Sequence, residues 1–245
     1  MRQRVDILGV GIDAVDLGAA AERVERALRE RRRLFVITAN PEFVMLARRS
    51  PRVRAAAESA DLIVPDGTGL VIAAALLGRA LPGRARGREL VQLVAAAAAG
   101  QGRSLFLLGA RDGVAARAAE ALRRANPELR VAGAHPGNPE EGADGEVRSL
   151  VASASPDVLL VAYGMPKQEL WLWRNLSNLE SVCVAIGVGG AFDYLAGESP
   201  LPPRWLARIG LEWLWRLLRQ PWRWRRQLAI PAFLALVVRE RFRTA

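Results

Sequence analysis

The 245-residue chain reads as an α/β protein, with a Rossmann-like, mostly parallel sheet covered by helices on both faces and a basic, Trp/Arg-rich helical appendage at its C-terminus. The sheet follows from apolar runs that alternate with amphipathic segments as far as residue 195. Unbroken apolar runs are the mark of strands buried on both faces, and a helix between successive runs is what parallel pairing requires. The appendage follows from a shift in composition near residue 200: from Leu201 to Ala245 there are ten Arg against two Glu, eight of the ten net positive charges. The same segment holds five of the seven tryptophans, Trp205, Trp213, Trp215, Trp222 and Trp224. The expected units are a catalytic body over 1–198 and a membrane-associating appendage over 199–245.

The first run, "VDILGV", is broken by Asp6 and followed by Asp13, so the N-terminus is not expected to be a signal peptide. "AVDLGAAAERVERALRERR" carries apolar residues at helical spacing with Arg and Glu opposite, and "LFVITA" then reads as a core strand. "DLIVP" is the next strand, and the Ala-rich stretch at 95–100 is a helix that stops at Gly100. "SLFLLG", "LRVAGAH", "DVLLVAYG" and "VCVAIGVG" continue the strands, with "DGVAARAAEALRRANP" as an amphipathic helix among them. The lone cysteine, Cys183, has no partner for an internal disulfide and sits in a run expected to be buried. "GESPLPPRW", with three prolines in four positions, is the linker candidate. "LAIPAFLALVV" is well short of the ~20 residues that a membrane span needs. The expected location is cytoplasmic, with any membrane contact peripheral.

In open parallel sheets, ligands bind at the carboxyl ends of the strands. Polar residues gather at those ends here. "LFVITANPEFV" ends a strand on Thr38 and Asn40; the alternative for Asn40 is an N-cap of the helix that Pro41 begins. "DLIVPDGTG" puts Asp66 after a strand, with Gly67 next to it to let a ligand approach the backbone. "VLLVAYGMPKQE" ends at Gly164 and sets Lys167 and Gln168 in a first helical turn, and "VAIGVGGAFDYLAG" follows a glycine cluster with Asp193. Asp66 also admits a capping role. "GVGIDA" fits the loose G-x-G-x-x-A dinucleotide fingerprint, but Asp13 stands where a pyrophosphate would approach and no acidic residue ends the next strand. No P-loop, zinc-ligand spacing, G-x-S-x-G elbow or Asp-x-Asp pair occurs, and the single His135 cannot build a metal cluster. No metal and no cofactor are expected.

The motifs "TANPEFV", "ADLIVPDGTGL", "RARGREL", "YGMPKQELW", "IGVGGAFDYLAG" and "GLEWLWRLLRQPWRWRR", in this order, resemble the WecG/TagA/CpsF glycosyltransferase family over nearly the whole chain. The resemblance implies an inverting, metal-independent transferase at the inner face of the cell membrane. It would move an N-acetylmannosamine-type sugar from a UDP-sugar to polyprenyl-diphosphate-linked N-acetylglucosamine, in cell-surface polysaccharide or teichoic acid synthesis. In that family Asp66 corresponds to the proposed base, with Thr38, Asn40 and Gln168 on sugar hydroxyls and Asp193 on the uridine. Arg84 matches an arginine that would serve the departing diphosphate. Arg216, Arg223 and Arg226 match appendage arginines that complete the site, their alternative being a solvated helix face. The implied partners are the two substrates and an anionic membrane surface, with no nucleic acid; self-association with a second copy is left open by the resemblance. Two departures stand out: Leu201, Pro202 and Pro203 replace a usual R-A-P, and Gly137 is followed by Asn138 and Pro139 instead of Tyr-Phe. The competing reading is a non-catalytic membrane-surface or nucleic-acid-binding protein that uses the Trp/Arg tail.

Overall fold

The computed structural model describes residues 3–203, 206, 212–219 and 229–244. The chain opens differently from the reading above. "VDILGV" does not enter the main sheet but splits into β1 (Arg4–Ile7) and β2 (Val10–Asp13), an antiparallel hairpin. Leu8 and Gly9 turn it with φ of 54° and 85°, the paired positive φ values that match strand twist in a tight hairpin. The dinucleotide-like "GVGIDA" is therefore turn and return strand, not a strand-to-helix junction. Asp13 is fully buried, and its Oδ2 accepts the Ile63 N–H at 2.8 Å while Arg4 and Arg23 approach to 3.4 and 3.5 Å. This paired carboxylate anchors the hairpin to the sheet.

Beyond it come α1 (Leu17–Arg29), β3 (Leu34–Ala39), α2 (Pro41–Arg49), α3 (Pro51–Ser59), β4 (Leu62–Pro65), α4 (Thr68–Leu76) and α5 (Gly87–Gly100). Then follow β5 (Ser104–Gly109), α6 (Val114–Ala125), β6 (Arg130–His135), α7 (Asp144–Ala154), β7 (Val158–Ala162), α8 (Lys167–Asn175), β8 (Val184–Gly187) and α9 (Ala191–Leu195). Two helices of the appendage are described, α10 (Glu212–Arg219) and α11 (Ala229–Thr244). The six strands of the main sheet lie in the order β4-β3-β8-β7-β5-β6, every neighbouring pair parallel.

Alternation along the strands splits the interior into two layers. Phe35, Ile37, Ile63, Phe106, Leu108, Leu159, Val161 and Ala185 face α2, α3, α4, α7 and α8. Val36, Leu62, Val64, Leu105, Leu107, Leu160, Val184 and Ile186 face α1, α5, α6 and α9. Cys183 belongs to the second layer. The edge strand β6 is partly exposed, and His135 at its end accepts the Gly137 N–H on Nδ1 at 3.0 Å, a loop-shaping contact.

The last helix is part of the first layer. α11 packs on α2 and α4, and Phe233 and Val237, one turn apart, are both fully buried there. Pro231 falls in its first turn, where a missing N–H costs nothing. Among the described residues no helix is long and apolar enough to cross a membrane. Phe233→Ala should lower the unfolding free energy by about 3 kcal/mol, the usual loss for a buried phenyl group, read from the urea midpoint. A shift under about 0.5 kcal/mol would mean that α11 is not docked on the body.

Candidate active site

Loops leaving β3, β4, β7 and β8 converge on the carboxyl edge of the sheet. At the end of β3, Asn40 caps α2: its Oδ1 accepts the Phe43 N–H at 3.0 Å, with Pro41 at the first helical position. That commits the oxygen; the Asn40 Nδ2 makes no hydrogen bond among the described residues. Thr38 is buried, and its hydroxyl donates to the Gly187 carbonyl of the adjacent β8 at 2.7 Å. Its oxygen lone pairs remain to accept.

Asp66 follows β4, and its backbone N–H donates to the Ala39 carbonyl and keeps the two strand ends abreast. Gly67 follows with φ of 130°, a conformation closed to side-chain-bearing residues, and no described atom lies within 4 Å of where its Cβ would stand. α4 starts at Thr68 with Gly67 at its cap position, so no cap residue side chain closes its first turn. Thr38 pairs with Val64 across the ladder, and Asp66 lies two residues beyond Val64, so both side chains emerge toward α5. There they meet Gly87: a Cβ at that position would be 3.6 Å from Asp66 Oδ2, 3.6 Å from Thr38 Oγ1 and 3.4 Å from Thr38 Cγ2. The segment before α5 is tied to the strand end by the Ala85 N–H, which donates to the Pro65 carbonyl at 2.8 Å. Arg84 reaches Thr68 from this segment, Nη1 to Oγ1, at 3.4 Å. Carboxylate, hydroxyl and guanidinium thus share one strand end.

Gln168 lies on the opposite side of the sheet. It is fully buried, and its Oε1 accepts two backbone N–H groups, from Gly164 at 3.1 Å and from Gly189 at 2.9 Å. Its Nε2 donates to Glu169 Oε1 at 2.8 Å. The amide sits beneath the surface expected for a sugar contact and links the loops after β7 and β8. Gly164 has φ of 77° with open space beside its α-carbon, while Lys167 points away into an exposed ion pair with Glu140 at 2.8 Å.

Glu169 carries no signal in the sequence, where "PKQE" gives no sign of which side chains turn inward. It is fully buried, its Oε2 has no hydrogen-bond partner among the described residues, and burial pushes its pKa up to about 7. The Gln168 hydrogen bond opposes that rise and the nearby charge of Glu42 adds to it.

After β8, Asp193 lies half-buried in α9 with its Oδ1 3.9 Å from Arg111 Nη2. Glu198 holds Arg111 at 3.4 Å and also pairs with Arg117. Arg111 is a further cation of this edge; its signal in the sequence is "GARDG" after β5, where an arginine interrupts a strand end. Arg88 of α5 stacks on the Tyr194 ring at 5.5 Å, joining α5 to α9. Arg216 lies on α10, where the Arg219 guanidinium stands 4.9 Å over the Trp215 ring. Arg223 and Arg226 lie outside the described residues. Among the described residues no three His, Cys, Asp or Glu side chains are gathered as a metal site.

Comparison with known proteins bears on what this edge does. The family model described as glycosyl transferase WecG/TagA/CpsF family matches residues 5–245. An N-acetylglucosaminyldiphosphoundecaprenol N-acetyl-beta-D-mannosaminyltransferase of Bacillus spizizenii is 36% identical over 205 residues, covering 84% of this chain and 79% of that protein. The enzyme of the same name from Bacillus subtilis is 32% identical over the same length and shares. The one from Staphylococcus aureus is 33% identical over 233 residues, 94% of this chain and 91% of its own.

Glu169 makes stability depend on pH in a predictable sense. A carboxyl whose pKa is raised by folding binds its proton more tightly in the folded state. Stability is therefore highest below the unfolded value and falls as pH rises toward about 7. The loss is on the order of 3 kcal/mol across that window, and Glu169→Gln should abolish it. Urea unfolding of both proteins between pH 5 and 8 checks this; parallel curves would refute it.

Proposed function

The chain belongs to the WecG/TagA/CpsF glycosyltransferase family, and on that premise we propose that it moves an N-acetylmannosamine-type sugar from a UDP-sugar to a polyprenyl-diphosphate-linked N-acetylglucosamine. The carrying observation is the carboxylate of Asp66 set beside Thr38 against the first turn of α5, at the ligand-binding edge of a parallel sheet. Asp66 takes the proton of the acceptor hydroxyl as that oxygen bonds to the anomeric carbon from the face opposite the leaving group. The bond from anomeric carbon to UDP oxygen breaks, its electron pair leaves with UDP, and the sugar is inverted. Arg84, next to Thr68, stabilises the charge that develops on the departing diphosphate. Thr38 accepts a sugar hydroxyl, the Asn40 Nδ2 donates to one, and open space at Gly67 and Gly164 lets substrate reach the backbone.

Gln168 serves this site from below by holding the Gly164 and Gly189 loops. Asp193 takes the uridine, with Arg111 at its side. Lys167 supplies positive charge at the mouth of the site once released from Glu140. Arg216, Arg223 and Arg226 complete the site when the appendage settles on an anionic bilayer, where Trp and Arg partition favourably. The enzyme then works at the inner face of the cell membrane in cell-surface polysaccharide or teichoic acid synthesis. The exposed Ile72 and Leu76 of α4, on one face of the sheet, and Leu93 of α5, on the other, offer apolar positions for self-association. A nucleic-acid-binding reading is not favoured, since the relatives are transferases by name.

The test is UDP release with mass analysis of the product, using a panel of UDP-sugars and a short-chain polyprenyl-diphosphate N-acetylglucosamine, with and without EDTA. Acceptor-dependent release that survives EDTA and falls by roughly 10²–10⁴-fold in Asp66→Asn supports the reading. Absence of turnover with every donor in the presence of anionic vesicles overturns it.

Gly87→Ala tests the geometry separately. Its methyl would stand 3.6 Å from Asp66 Oδ2 without a backbone clash. Folding should be preserved, with a gain of up to about 1 kcal/mol from helix propensity. Transfer should drop about tenfold or more because substrate is shut out from Asp66. Full activity in this variant would place the reacting atoms elsewhere.

A further inference from the structure

Glu169 has a carboxyl buried in the first turn of α8 with one oxygen unpaired. Among the described residues it forms no ion pair, and an apolar side chain would fill the same space without a stranded carboxyl oxygen of its own. What it touches is Gln168. With Oε1 of Gln168 taken by the N–H groups of Gly164 and Gly189, Nε2 must point the other way, and there Glu169 Oε1 accepts from it at 2.8 Å. The fit is close: a Cβ on Gly187 would come within 2.8 Å of that same Nε2. Without its acceptor the buried amide would hold an unpaired NH₂ group. It could relieve this only by turning, and turning sets its donor against the two glycine donors.

We propose that Glu169 is a positioning residue for the transfer site: by accepting from Gln168 Nε2 it keeps the Gln168 carbonyl on Gly164 and Gly189, and so fixes the spacing of the loops after β7 and β8. The effect on turnover rests on the transferase reading; the effect on the two glycine amides does not. Both protonation states of Glu169 retain an acceptor for Nε2, so the lock holds across the pH range in which the carboxyl titrates.

The experiment compares wild type, Glu169→Gln, Glu169→Leu, Gln168→Leu and the Gln168→Leu/Glu169→Leu pair by site-resolved amide hydrogen exchange and by steady-state transfer kinetics. In Glu169→Leu, exchange at Gly164 and Gly189 should quicken about tenfold or more, while kcat falls by a similar factor and KM moves less. Glu169→Gln, which keeps an acceptor oxygen, should restore both. The double variant should be no worse than Gln168→Leu alone, since both changes break one linkage. Unchanged exchange at both glycines in Glu169→Leu would overturn the proposal, as would additive losses in the double variant or a Glu169→Gln as defective as Glu169→Leu. If Glu169→Leu does not fold, Glu169→Asp, which withdraws the acceptor by one methylene, carries the same expectation, and wild-type exchange there overturns the proposal. An inactive wild type would count against the transferase reading alone and leave the exchange result to decide.

Discussion

The carboxyl edge of the sheet depends on one buried side-chain amide. β3 and β7 send their chains into the layer that contains α2 and α8, whereas β8, lying between them, sends its chain into the layer that contains α9. Loops that diverge to opposite faces open the crevice in which α/β proteins bind ligands, and they also leave backbone groups beyond the last rung of the ladder. Gln168 closes that gap by accepting from the loop after β7 and from the loop after β8 with a single oxygen. Thr38 makes the corresponding link from β3 to β8 through the Gly187 carbonyl. Three strand ends are thereby held in a fixed relation, and the groups placed above them inherit it.

Much of this was legible in the sequence, and parity explains what was and was not. Continuous apolar runs implied a two-sided parallel sheet, and the polar strand ends Thr38, Asn40, Asp66 and Asp193 fall at its carboxyl edge. Spacing alone does not say which face a side chain takes after a strand has ended. Thr38 and Asp66 keep the strand's alternation and meet at Gly87; Gln168, two residues past a proline, turns inward under Gly187. Its inward turn is a tertiary fact, decided by which backbone N–H groups lack acceptors. The hairpin was hidden for a different reason. Leu8 carries positive φ at a turn position where Asn or Asp is the usual signal, so "VDILGV" looks like one strand instead of two.

The C-terminal segment joins two physical roles that composition kept apart. Its net charge and tryptophans suggested an appendage distinct from the body, yet Phe233 and Val237 of α11 are as deeply buried as any strand residue. Their spacing of four lies within an apolar run, where periodicity is masked by the alanines and leucines around it. The same helix leaves Val238 and Phe242 exposed beside Arg239 and Arg243, so one face is committed to the body and another is apolar with a basic rim. Anchored by these two side chains, α11 belongs to the core of the body as much as to the basic C-terminal segment.

The pairing of Gln168 with Glu169 runs against what stability alone would select. A fully buried carboxyl with an unmatched oxygen weakens the fold above the pH at which it ionises, and a Leu–Leu pair in that space would avoid the penalty. A Leu–Leu pair would leave the Gly164 and Gly189 N–H groups without an acceptor and the two loops free to separate. Departures from local economy that cost free energy gather where a site needs geometry more than it needs stability. The departure here lies directly beneath the strand ends that carry Thr38 and Gly187, on the opposite side of the sheet from Asp66. The upper face of this edge carries the groups proposed to react, and the lower face holds the hydrogen bonds of Gln168 that tie the loops beneath them.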